Sequence, residues 1–206
     1  MRQTTGQPGL PLWLKLLFSA WMLVWVPAYL WLYGPLNFFW LCNLANFLIL
    51  AALWRESRLL LSAQALAVLL VGITWTLDVA GAFLTGHHII GGTEYMFDAE
   101  IPLPGRLLSL YHAALPLITL YCLYRIGYDS RGIWLQTGLT WVLMVATWLV
   151  VEPELNINWV HGPFGEPQDT LPPGLYLLVA MLATPLVLYL PSHLLIRWLL
   201  PRQNTQ

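Results

Sequence analysis

A thiol, a carboxylate and an imidazole lie at one depth in three apolar segments of this 206-residue chain. Cys42, Asp78 and His112 each lie about six residues inside the expected outer end of a segment, which at ~1.5 Å per residue is roughly 9 Å. Lipid ester carbonyls lie at that level. A cysteine can act as a nucleophile, a histidine as its base and an aspartate as the group that orients the base. The set therefore predicts catalytic acyl transfer.

Two asparagines follow the cysteine in the same segment. Asn43 is adjacent to Cys42 and Asn46 lies one helical turn on, so their amides are candidate donors to the oxyanion of a tetrahedral intermediate and to substrate. A structural interpretation stands beside this one. A buried cysteine behaves as a small hydrophobic residue, and Asn or His between membrane helices often forms interhelical hydrogen bonds. The sequence leaves open whether the helix faces that carry these residues converge.

Six apolar segments must position these residues. Each is near the ~20 residues that cross ~30 Å of hydrocarbon, and none shows the ~10-residue alternation of barrel strands. With 58% hydrophobic and 9% charged residues, the chain has little polar sequence for a separate water-soluble domain. We predict an all-α integral membrane protein, a single domain over residues 1–206 that forms a six-helix bundle. The predicted spans are about 12–33, 36–54, 59–84, 107–124, 133–151 and 174–200.

The charged residues are distributed unevenly across these spans. Eight of nine basic residues fall on one side, whereas Arg106 and seven of ten acidic residues fall on the other. Because basic loop residues concentrate in the cytoplasm, we predict that both termini are cytoplasmic and that the two longer loops, 85–106 and 152–173, are external. The expected location is a bacterial cytoplasmic membrane. The eight basic residues are Arg2, Lys15, Arg55, Arg58, Arg125, Arg131, Arg197 and Arg202.

Aromatic residues flank the spans, as in the interfacial belts of membrane proteins. Cys42 and Cys122 fall near opposite faces, so no disulfide between them is predicted. A net charge of −1 and the lack of a glycine-rich phosphate loop argue against nucleic-acid or nucleotide binding. No cofactor is predicted; Lys15, the sole lysine, lies near a helix end and not at the centre of a span, which disfavours a retinal protein. The predicted belt residues are Trp13, Tyr95, Tyr111, Tyr128, Trp134, Trp159 and Trp198.

The external loops also carry histidines and acids, which could ligate zinc or iron. The fit is poor, because neighbours such as His87 and His88 point in different directions and the i, i+4 pair of a metal-binding helix is absent. A metal site is therefore a minor alternative. Its candidate ligands are His87, His88, Glu94, Asp98, Glu100 and His161.

Two short patches carry a resemblance to a known family. The run from Asn37 to Asn46, followed later by the run from Leu108 to His112, resembles the YwaF-like integral membrane proteins of bacteria. The stretch from Asn156 to Trp159, with Gly162 and Pro163 after it, is similar to the segment that precedes the last helix in that family.

The resemblance implies a six-helix fold related to eukaryotic membrane acyl hydrolases and acyltransferases, including the androgen-induced hydrolases, in which a nucleophile on one helix works with a later His. Cys42 and His112 occupy the matching positions, and Asn156 and Asn158 become candidate substrate-binding residues. The androgen-induced hydrolases have Thr where this chain has Cys, which favours a Cys-dependent acyltransferase. Asp78 is not part of the resemblance; its candidacy rests on its depth and charge.

Two classes of function thus remain open. The first is a lipid acyltransferase or acyl hydrolase that uses Cys42 and His112 near the outer leaflet. The second is a non-catalytic protein that binds or transports a lipid or small molecule, or an accessory subunit of a larger membrane complex, in which the polar groups line a cavity. Membrane lipids are the expected partners of an acyltransferase, of a hydrolase and of a lipid-binding protein. Nucleic acid is not an expected partner for either class.

Overall fold

The computed structural model describes residues 9–200, so Arg2 and Arg202 lie outside the described residues. Within that range, every regular element is a helix. Five apolar helical stretches are long enough to cross a membrane, and a sixth apolar helix is shorter, with 15 residues. The chain is therefore an all-helical protein with the features of a multi-pass membrane bundle. The helices are α1 Leu12–Tyr33, α2 Leu41–Arg55, α3 Arg58–Thr85, α4 Leu103–Leu108, α5 Tyr111–Ile126, α6 Gly132–Val150, α7 Pro173–Thr184 and α8 Leu190–Leu199.

The second predicted span, 36–54, differs most from the structure. Its first part, Pro35–Phe39, is a 3₁₀ helix, and Trp40 is extended before α2 begins at Leu41. The regular helix starts later than predicted. Pro35 instead begins a 3₁₀ turn, where its missing N–H costs nothing. The second helix is therefore too short to cross ~30 Å of hydrocarbon alone.

A side chain from a distant loop satisfies the backbone at this break. The Asn158 amide nitrogen donates to the Phe39 carbonyl oxygen at 2.7 Å, and its amide oxygen accepts from the Leu41 backbone N–H at 2.8 Å. Asn158 thus replaces hydrogen bonds that a continuous helix would have made. Broken helices are tolerated at membrane depth where such partners exist.

Two further spans are also interrupted. The stretch predicted as 107–124 consists of α4 and α5, separated at residues 109–110. Between α7 and α8, Pro185–Tyr189 forms a π-helical turn. Pro185 has no N–H for the Met181 carbonyl one turn earlier, and the Trp141 indole of α6 donates to that oxygen at 2.7 Å instead.

Helix α3 lies at the centre of the bundle and packs against α2, α5, α6 and α8. Its residues Leu61, Leu66 and Leu69 are buried in one apolar core with Leu53 of α2 and Leu115 of α5. A buried polar chain joins α3 to the last span. Its members are Gln64, Gln136, Thr140 and Tyr189, linked at 3.0, 3.2 and 2.6 Å.

The two ends of the bundle differ. At one end the connections are short, and Lys15 of α1 forms an ion pair with Glu56 in the turn between α2 and α3. The long connections, residues 86–102 and 151–172, lie at the opposite end, which we call the long-loop end. The candidate site lies there.

Helices α3 and α5 approach each other closely at Gly72. Pro116 leaves the His112 carbonyl oxygen without its helical donor, and a Cβ at Gly72 would lie 2.3 Å from that oxygen and 2.4 Å from Pro116 Cγ. Glycine is therefore required for the backbone of α5 to reach α3. The contact also fixes the position of His112.

We expect Gly72→Ala to lower the thermal unfolding midpoint of the detergent-solubilised protein, because overpacking of a tight contact costs about 1–3 kcal/mol. Gly138→Ala on α6 is the matched control, since a Cβ there meets nothing within 4 Å. Differential scanning fluorimetry measures both variants. Equal midpoints for Gly72→Ala and wild type would contradict the close α3–α5 contact.

Candidate functional site

A cavity of about 570 Å³ lies at the long-loop end of the bundle. Its walls come from α1, α2, α3, α5, both long loops and the π-helical turn. Cys42, Asp78 and His112, the three predicted catalytic residues, all line it. The structure thus places them on one cavity, and the contacts of each decide what they can do.

His112 is held in one orientation at the start of α5. Its Nδ1 lies 2.9 Å from the Ser109 carbonyl oxygen, so this nitrogen carries a proton and donates it. The rings of Trp75 and Tyr111 stack against the imidazole, with centroids 5.1 and 4.2 Å away. In the neutral imidazole Nε2 then keeps its lone pair free. His112 can therefore accept a proton or hydrogen bond from a molecule in the cavity.

Cys42 lies next to a different side chain. Its thiol neighbours the Tyr111 hydroxyl, and the hydrogen bonds of residues 9–200 include none between Cys42 and His112. The thiol and the imidazole thus share a cavity without being paired. Both cysteines of the chain are free thiols, and Cys122 is buried in the apolar core.

Asp78 serves as an anchor for the first long loop. One carboxylate oxygen accepts from the backbone N–H groups of residues 89–91 at 2.7, 2.6 and 3.1 Å. The other accepts from the Thr93 hydroxyl and lies 3.0 Å from His88 Nδ1. The predicted partner, His112, is not among these contacts. With 1% of its side chain exposed, Asp78 holds residues 90–93 as a roof over the cavity.

The predicted substrate-binding asparagines of α2 have internal partners. Asn43 donates to the backbone carbonyl and side-chain oxygens of Asn37 at 2.7 and 2.6 Å and accepts from the Tyr111 hydroxyl. Asn46 donates to the Cys42 carbonyl at 3.2 Å. It is fully buried and does not line the cavity. The side-chain N–H groups of both asparagines thus donate to other groups of the protein. Their role as donors to substrate stays a prediction.

The two loop asparagines are likewise engaged. Asn156 closes a turn, because it donates to the Gly162 carbonyl and accepts from the His161 N–H, both at 2.9 Å. Asn158 holds the break before α2, as described above, and also lies 3.3 Å from the Thr147 hydroxyl. Asn158 lines the cavity and Asn156 does not. Both residues shape the second long loop.

A cluster of hydroxyl groups, unpredicted from the sequence, lines the cavity. Tyr29 and Ser109 are 3.3 Å apart at their oxygens, and the Tyr95 hydroxyl accepts from the Trp75 indole at 2.9 Å. The Tyr33 hydroxyl is buried without a partner among the described residues. Burial raises the pKa of Tyr95, so its hydroxyl remains protonated. We call Tyr29, Tyr33, Tyr95 and Ser109 the hydroxyl cluster.

Several predicted belt residues have different environments. Trp13, Trp134 and Trp198 are 58%, 78% and 79% exposed, as lipid-facing residues would be. Tyr111, by contrast, is buried and lines the cavity. Tyr95 also lines the cavity. The spacing of Tyr29 and Tyr33, four residues apart on one face of α1, was the signal that could have located the hydroxyl cluster.

The loop histidines and acids lie apart from one another. His88 binds Asp78 and Thr93, Glu94 accepts from the Gly92 N–H at 2.7 Å, and Asp98 accepts from the Glu100 N–H at 2.8 Å. Over residues 9–200, no three His, Cys, Asp or Glu side chains come close enough to hold a metal ion. The minor metal alternative gains no support.

Comparisons of the chain with protein-family models, curated proteins and solved structures find no match. The resemblance to the YwaF-like proteins therefore stays a prediction. Roles for Cys42 and His112 must be argued from the cavity itself.

We expect Asp78→Ala to release the roof of the cavity. Loss of the carboxylate leaves the N–H groups of residues 89–91 without their acceptor, so hydrogen exchange at these amides should quicken by at least tenfold, the factor that corresponds to ~1.4 kcal/mol. Asp98→Ala, an exposed aspartate of the same loop, is the matched control. Hydrogen–deuterium exchange mass spectrometry gives the readout, and unchanged protection of 89–91 would contradict the anchor.

Proposed function

We propose that this protein binds one lipid-like molecule in the cavity at its long-loop end. The observation that carries the proposal is the cavity's make-up: about 570 Å³, lined mainly by apolar and aromatic side chains, with hydroxyl, thiol and imidazole groups among them. Ligand sites are typically ~300–1,000 Å³ with a few placed polar groups. Within a membrane bundle, the ligand that matches such a lining is amphipathic.

The proposed orientation puts the long-loop end outside the cytoplasm, in a bacterial cytoplasmic membrane. It rests on the basic residues at the opposite end, among them Lys15, Arg58 and Arg125. We expect alkaline phosphatase fused after residue 206 to be inactive, and the same enzyme inserted at residue 168 to be active. The reverse pattern would contradict this orientation.

Lipid binding can be tested by filling the cavity. Val71 lines it, whereas Val142 on α6 is 72% exposed outside it. In nanodiscs that contain a diacylglycerol with a diazirine on one acyl chain, we expect wild type and Val142→Trp to crosslink at cavity residues, and Val71→Trp to lose that crosslink. Mass spectrometry of the digested protein locates the adduct. Wild-type crosslinks confined to lipid-facing residues would contradict the proposal.

Acyl transfer is the second candidate, favoured by one specific observation. Cys42 and His112 line the same cavity, and the hydrogen bond from His112 Nδ1 to Ser109 leaves Nε2 free as a base. The two side chains are not hydrogen-bonded in the described structure, so the reaction needs the thiol to turn from Tyr111 toward the imidazole. Catalytic pairs are often loose without substrate.

The proposed reaction follows from these two groups. The Cys42 sulfur attacks the ester carbonyl carbon, and its proton passes to His112 Nε2. As the ester C–O bond breaks, the imidazolium returns that proton to the leaving alkoxide, which departs as an alcohol. The products are an acyl thioester on Cys42 and the free alcohol. Attack by water or a second alcohol on the thioester restores the thiol.

Hydroxylamine-sensitive labelling tests this chemistry. After incubation with an ester of an alkyne-tagged fatty acid, we expect label on wild type and Cys122→Ala, and none on Cys42→Ala. We expect His112→Gln to slow labelling by about 10²–10⁴-fold, as loss of a general base does. If wild type crosslinks the probe in the cavity but forms no thioester, the protein binds lipid and the proposed acyl transfer is wrong.

A further inference from the structure

We infer that the cavity selects a neutral lipid whose polar end has a carbonyl oxygen next to a hydroxyl group, as in a monoacylglycerol, and rejects ionised lipid head groups. The inference rests on the proposed lipid-binding function and names its ligand class. Three features of the lining carry it: its charge, its donors and an acceptor on His112.

The charge of the lining argues against an ionised head group. No lysine or arginine occurs among the described residues that line the cavity, and Asp78 is the sole carboxylate. The hydrogen bonds that Asp78 accepts all come from the loop that it anchors. A phosphate or carboxylate buried here would lack a counter-ion and would lie near a like charge. Burial of an unpaired ion is costly, whereas a neutral oxygen needs only a hydrogen bond.

The donors lie in the hydroxyl cluster. Within this cluster the Tyr33 hydroxyl is not available to a ligand, because it has no accessible surface and packs against Gly105 of α4. Tyr95 accepts from Trp75 and thereby keeps its own proton available for donation. An O–H that faces an apolar cavity without an acceptor is unfavourable, so a ligand oxygen that accepts from Tyr95 is favoured. Carbonyl oxygens are such acceptors.

The free acceptor is His112 Nε2. Because Nδ1 donates to the Ser109 carbonyl, Nε2 of the neutral ring can accept but not donate. Its complement on a ligand is a hydroxyl proton. A carbonyl oxygen alone can satisfy only the donor. An acylglycerol with a free hydroxyl presents a carbonyl acceptor to the tyrosine and a hydroxyl proton to Nε2 at the same time.

The inference can be tested in nanodiscs that contain the diazirine diacylglycerol of the binding experiment, by adding lipids that compete with it for the cavity. The competitors share one C18 acyl or hydrocarbon chain and are titrated over the same range of mole fraction: 1-oleoylglycerol, oleate, 1-oleoyl lysophosphatidic acid and 9-octadecene. We expect 1-oleoylglycerol to reduce the cavity crosslink at a concentration at least tenfold below those of the other three. We further expect Tyr95→Phe to weaken this competition by about fivefold, which is the worth of one hydrogen bond.

Tyr124→Phe is the matched control, because Tyr124 lies on α5 outside the cavity and is 65% exposed; it should compete as wild type does. If oleate or lysophosphatidic acid competes as well as 1-oleoylglycerol, or if Tyr95→Phe has no effect, the inferred ligand class is wrong while lipid binding stands. If the wild-type protein crosslinks no probe in the cavity, the proposed function fails and this inference with it.

Discussion

In hydrocarbon, every backbone N–H and C=O must find a partner inside the protein, and the cavity depends on how this chain meets that requirement. The helix predicted over residues 36–54 is broken at Trp40, and the carbonyl of Phe39 and the N–H of Leu41 are paired with the Asn158 side chain. A continuous helix would need no such partner. Because Asn158 pairs both groups, the chain can enter α2 after a turn, and the polar residues at the start of α2 face a cavity.

Asp78 likewise supplies a partner for backbone N–H groups, in the loop that forms the roof of the cavity. Three consecutive N–H groups of the first long loop converge on one carboxylate oxygen, which compensates both the buried charge and the irregular backbone. A buried carboxylate in an apolar helix can therefore be structural, although ionisable residues in such helices are functional candidates by default. In this protein the anchored loop brings Thr93 and Tyr95 to the cavity. The structural role of Asp78 thus supports the site without a contact to His112.

Hydropathy and length predicted the long helices well. The first span coincides with α1, and the third and fifth match α3 and α6 to within a residue or two, because a membrane-crossing helix must be a long continuous apolar run. The breaks were not predictable. The partner that permits the break at Trp40 lies more than a hundred positions away, at Asn158, and local pattern carries no trace of such a pair.

The depth of the candidate site residues was predictable from the sequence, but their contacts were not. Depth along a helix follows from residue counting, so Cys42, Asp78 and His112 could be placed at one level, and in the structure all three line one cavity. Rotation about the helix axis and loop conformation do not follow from counting. They decide that Asp78 contacts His88 and not His112, and that the asparagines bind the backbone.

A cryo-EM map of the protein in lipid nanodiscs, with a bound antibody fragment as fiducial, would test the central claim most directly. The account predicts a turn at Trp40 that is held by the Asn158 amide, with elongated lipid density beside Cys42, His112 and Tyr95. A continuous helix through Trp40 that fills this space, with Asn158 facing away, would contradict it.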